Sequence, residues 1–125
     1  MHLNPLKAWT ESHRNLRRDS AVRRAIEQFG DLSPEGQADC AEVSDAILSE
    51  LRKQGFLPRS LSIVSRPSGD IGHRDRPNQL EHVVIEEAGR IIDPFLIGER
   101  AMPLQCYLKK AYNPKPGITL VPLYH

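Results

Sequence analysis

Residues 80–95 read LEHVVIEEAGRIIDPF, and the reading of this stretch decides the fold. Two β-rich runs, 80–86 and 90–95, flank Glu87-Ala88-Gly89, which predicts an antiparallel hairpin. With Ala88-Gly89 as a two-residue turn, Glu87 faces Arg90, Val84 faces Asp93 and His82 faces Phe95. Side chains alternate along a strand, so His82, Val84 and Asp93 share one face, with His82 diagonal to Asp93. Val83, Ile85 and Ile92 fill the other face as core. A three-residue turn would shift the register by one and carry Asp93 to the opposite face.

Working back from the hairpin, the clearest helix runs over 40–54. Asp39-Cys40-Ala41-Glu42 has the form of a capping box, in which the Asp39 carboxylate accepts from the third helical N–H and Glu42 reaches back to the N–H of Asp39. Cys40 then holds the first helical position. Val43, Ile47 and Leu51 follow it at steps of three and four, so the thiol begins the buried stripe. Gly55 ends the helix in a left-handed conformation.

Further out, 60–65 predicts a short strand between Pro58 and Pro67. Residues 66–78, rich in Gly, Pro and charge, predict a mobile loop. A short helix over 104–112 and a last strand over 118–123 follow. Residues 4–30 predict one or two helices, with Leu6, Trp9, Leu16, Val22, Ile26 and Phe29 as a buried stripe and Gly30 as the stop. Arg14, Arg17, Arg18, Arg23 and Arg24 are expected on a solvated face, diluted by Glu11, Asp19 and Glu27.

The chain has 125 residues, 39% hydrophobic and 26% charged, with a formal net charge of +1. That suits one soluble domain and gives no bulk electrostatic reason to expect nucleic acid as a partner. Two cysteines make no disulfide framework, so free thiols are expected. No run approaches the roughly 20 apolar residues of a membrane span, and the start lacks the apolar core of a signal peptide. Synthesis in the cytoplasm is the expectation, for this chain or for a larger one it was cut from.

Cysteine attacks as its thiolate, which a helix N-terminus favours. Asp39 opposes that effect, so a cation is needed beside Cys40, and His82 is the candidate. Asp93, on the returning strand, would orient the imidazole. The Cys40 backbone N–H is one oxyanion donor and Gln37 a candidate for a second. A zinc site built from Cys40, Cys106, His73 and His82 is the rival, disfavoured because no CxxC or HxxxH pair is present. Cys106 is expected to be buried beside Leu104 and Leu108, and His73 to lie in the polar loop.

The helix opened by Asp39-Cys40, the strand EHVVI at 81–85 and the returning GRIIDPF at 89–95 together resemble the papain-like cysteine hydrolase superfamily. The nearest likeness is to compact papain-like toxin and deamidase domains of bacterial effectors. The resemblance covers 37–96. It implies an α+β papain-like fold with N-terminal helices, a central helix carrying Cys40 and a small antiparallel sheet. One domain would span 1–125, with a helical segment over 1–32 and a catalytic core over 37–125. It implies a Cys40–His82–Asp93 triad and no cofactor, acting on glutamine side chains or peptide bonds of a protein substrate, with a cognate immunity protein as a partner and secretion, or delivery into a target cell, without a classical signal peptide. Glutamine deamidase or transglutaminase is preferred, because the chain is short for a protease cleft with several subsites; protease (including peptide-leader peptidase) and an inactive partner-binding module are the alternatives.

Overall fold

The computed structural model describes residues 5–30, 39–65, 69–75, 79–96, 101–112 and 117–123. In chain order these form α1 (Pro5–Glu27), α2 (Cys40–Lys53), β1 (Arg59–Ser65), β2 (Glu81–Glu87), β3 (Arg90–Ile92), β4 (Ala101–Pro103), α3 (Leu104–Ala111) and β5 (Ile118–Leu123). The strands make one antiparallel sheet in the order β4-β3-β2-β1-β5, so the fold is α+β. None of the described helices is long and apolar enough to cross a membrane.

The hairpin pairs Glu87 with Arg90 and Ile85 with Ile92, the register of a two-residue turn. Ala88 and Gly89 both have positive φ, 49° and 79°, as a type I′ turn demands. Glycine meets that demand freely, whereas alanine is strained there. Ala88→Asn should therefore raise the unfolding free energy by about 0.5–1 kcal/mol. An unchanged or lower urea midpoint would contradict this.

Both faces of the sheet are covered, where one core face was expected. Ile85 and Ile92 pack with Val43, Ile47, Leu48 and Leu51 of α2 and with Ala21, Val22, Ala25 and Ile26 of α1. On the opposite face Leu61, Ile63, Val84, Ile91 and Met102 pack with Tyr107 and Ala111 of α3 and with Ile71. The second layer exists because 69–75, within the expected mobile loop, docks onto the sheet. Ile71 is fully buried, the Ile71 N–H donates to the Gln79 carbonyl, and the Arg74 N–H donates to the Ala111 carbonyl.

Helix α1 departs from its expected single stripe. At about 100° per residue, Leu6, Trp9 and Leu16 lie on the side opposite Val22, Ile26 and Phe29. They are 70%, 64% and 68% exposed, while the second group packs on α2. The basic face is solvated as expected at Arg14, Arg17, Arg23 and Arg24, and Arg18 is the exception. Arg18 is buried, lies 3.5 Å from the buried Glu87 carboxylate and shares it with Arg14. Arg14 and Arg17 also stack over the Phe56 ring. Cys106 is exposed rather than buried, because its direction on α3 lies about 120° from the face carrying Tyr107 and Ala111.

Candidate active site

Helix α2 starts where its cap dictates. Asp39 is extended (φ −90°, ψ 132°), and its Oδ1 accepts from the N–H of Ala41 at 2.7 Å and of Glu42 at 3.3 Å. Of the two reciprocal bonds of a capping box, this Asp39 half is the one seen among the described residues. At the far end Gly55 has φ 86°, its N–H donates to Arg52, and the Phe56 N–H reaches back to Leu51. That is a Schellman stop, with Phe56 buried as its hydrophobic contact.

The first turn of α2 meets β2 where the hairpin ladder ends. Pairing of β2 with β3 stops at Ile85, so Val83 has no β3 partner. Ser44 Oγ fills that place by donating to the Val83 carbonyl at 2.9 Å. Cys40, one turn earlier, is half-buried, with the His82 side chain and the Val83 N–H near enough to act on its thiol.

His82 is 1% exposed, and its Nε2–H donates to Asp93 Oδ1 at 3.0 Å. That leaves Nδ1 as the ring nitrogen for the thiol. Asp93, just past β3, is fully buried, and Oδ1 also accepts from the Phe95 N–H at 3.0 Å. Its other oxygen, Oδ2, accepts from His73 Nε2–H at 2.8 Å and from the Tyr107 hydroxyl at 2.8 Å. Tyr107 is in turn hydrogen-bonded to the Tyr112 hydroxyl at 2.8 Å. A buried carboxylate with this many donors is compensated for its lost hydration.

The electrostatics follow from these contacts. Burial pushes the Cys40 thiol up, but the hydrogen bonds from His82 and Val83 and the charge of His82 outweigh it and bring the thiol below its ordinary value. Adjacent Asp39 works against that decrease. Burial disfavours the His82 cation, yet the charge and hydrogen bond of Asp93, with the thiol, raise it to about 9. Burial raises Asp93, and the His82 charge with the hydrogen bonds from His73 and His82 overcomes this and holds it well below the carboxylate range. Burial and the Asp93 charge push the Tyr107 phenol up, so it remains a proton donor. The lowered thiol and the raised imidazole favour a thiolate–imidazolium pair over the neutral pair.

The structure thus brings together Cys40, His82 and Asp93, and Gln37 lies outside the described residues. Sequence reasoning missed the roles of His73, Tyr107 and Tyr112. A signal for His73 was present in Ile71, an apolar residue two positions away in an otherwise polar loop. His73, His82 and Asp93 gather potential metal-ligand atoms within 4.8 Å of one another. Here each Nε2 faces an Asp93 oxygen, and His73 Nδ1 accepts from the Asp75 N–H at 3.0 Å. Cys106, required by the four-ligand alternative, is exposed on α3 and is not part of this buried cluster. No family model, curated protein or solved structure matches the chain.

Proposed function

We propose that the chain is a cysteine-dependent amide hydrolase with a papain-like core, acting as a protein glutamine deamidase or transglutaminase in a bacterial toxin or effector. The observation that carries the reading is a helix-start thiol beside an imidazole whose Nε2 is fixed on a buried carboxylate. The Cys40 thiolate attacks the carboxamide carbon. The His82 imidazolium gives its proton to the departing ammonia or amine, which leaves a thioester on Cys40. His82, now neutral, takes a proton from water as it attacks the thioester. A carboxylate is released and the thiolate–imidazolium pair is restored. Attack by an amine in place of water gives transamidation. Asp93 holds the imidazole and its charge throughout. As the first helical residue, Cys40 also has a backbone N–H outside the helical bonding pattern, suited to the developing oxyanion.

Intact-mass spectrometry of lysate proteins treated with the protein tests the reaction. Deamidation adds about one dalton and one negative charge, since an amide becomes a carboxylate ionised at neutral pH. Proteolysis would instead create new chain ends and convert the assignment to a protease. Targets unchanged in mass after treatment would remove the enzymatic reading in favour of a binding module.

The rate should also follow a bell-shaped pH profile. Activity needs a deprotonated Cys40 and a protonated His82, so it falls with rising pH as His82 deprotonates at about 9. It falls with decreasing pH as the thiolate is protonated, below the ordinary thiol value. Both limbs belong to the coupled pair. A rate that keeps rising above pH 10 would contradict a role for the His82 cation.

A further inference from the structure

A carboxylate that only had to orient His82 would need one oxygen for the task. Asp93 uses Oδ1 for His82 and the Phe95 N–H, and its second oxygen carries two further donors from elements outside the hairpin. His73 comes from the 69–75 segment and Tyr107 from α3. Both are buried, at 3% and 0% exposure.

His73 is itself held in one tautomer. The Asp75 N–H donates to Nδ1 at 3.0 Å, so the ring proton resides on Nε2 and faces Asp93. A bridge between His73 and Tyr112 fixes the backbone, and the ring lies edge-on to both His82 and Tyr112 at centroid distances of 4.8 and 5.5 Å. This arrangement is costly to assemble by chance, because it commits a buried imidazole to a contact with no apolar gain.

We propose that His73 is a positioning residue of the site: its Nε2–H clamps Asp93 Oδ2, which keeps Oδ1 aimed at His82 and the His82 ring aimed at Cys40. The inference rests on the Cys40–His82 reading and adds a residue that acts through Asp93. Rotation of the carboxylate would break the bonds to His73 and Tyr107 together, so the clamp resists the motion that would release His82. The groups bearing on the pair are Asp39 beside Cys40 and His73, Tyr107 and Tyr112 around Asp93, with Asp75 setting the His73 tautomer.

The test is the rate of Cys40 alkylation by iodoacetamide against pH, read by peptide mass for wild type, His73→Asn and His73→Gln. Asparagine cannot place a donor where Nε2 stands, whereas the glutamine amide can. His73→Asn should raise the midpoint of the profile by about one pH unit, a roughly tenfold slower reaction at pH values well below the wild-type midpoint. His73→Gln should recover most of that loss. A folded His73→Asn protein with the wild-type profile overturns the role of His73 alone. Wild-type Cys40 without a lowered midpoint overturns the Cys–His reading and this role with it. Nitrogen-15 shifts of the wild-type His73 ring decide the matter without any variant: a proton on Nε2, slow to exchange, is expected, and a proton on Nδ1 rejects the clamp.

Discussion

Cys40→Ala should abolish turnover, with a loss of at least about a thousandfold, because the thiol forms the only covalent intermediate the mechanism contains. Stability should change little, within about 1 kcal/mol, since the residue is small and only half-buried and its removal leaves the Asp39 cap intact. The two effects together separate chemistry from folding. Mass changes in treated lysate should disappear, as should any toxicity on expression. Activity that persists in a folded Cys40→Ala protein would refute the mechanism.

Replacing Asp93 should damage both stability and chemistry. Asp93→Asn retains the size of the side chain but turns one oxygen into a donor. That donor must face either His82 Nε2–H and the Phe95 N–H, or His73 Nε2–H and the Tyr107 hydroxyl, all of which donate already. An unsatisfied buried polar group costs about 1–3 kcal/mol, and losing one partner of a buried ion pair about 3–5 kcal/mol. Against a total stability of about 5–15 kcal/mol this is a large fraction. A loss of roughly 2–4 kcal/mol is expected from urea unfolding, within the range those two costs set. The rate should fall by about 10²–10⁴, because His82 loses both its orienting acceptor and the charge that stabilises its cation. A variant within 0.5 kcal/mol of wild type would show that Asp93 is not the acceptor at the centre of this network.

The parts of the site legible in the sequence are those set by neighbours along the chain. Asp39 and Gly55 bound α2 by cap chemistry that spans a few residues, and this places Cys40 at the helix start. Ala88-Gly89 fixes the hairpin register, which brings Asp93 within reach of His82. The second layer was not legible because it depends on packing between distant segments. Nothing local requires Ile71 and His73 to dock between the sheet and α3, or Tyr107 to meet Asp93. The polar composition of their loop suggested mobility instead. Helix α1 misled for a different reason. Its apolar residues recur at helical spacings but belong to two opposite faces, and only the one bearing Ala21, Val22, Ala25 and Ile26 meets α2. Arg18 is buried because the hairpin offers it Glu87, a partner 69 positions away in the sequence.

The central claim is that Cys40 is held as a thiolate by His82. The most direct measurement compares iodoacetamide labelling of Cys40 and Cys106 in the same molecule at pH 6–7, where an ordinary thiol is only a few per cent ionised or less. Accessibility favours Cys106, which is exposed, over half-buried Cys40. Faster labelling of Cys40, by about tenfold or more, is the expected result, since thiolate fraction then outweighs access. Equal, slow labelling of both cysteines would contradict the account.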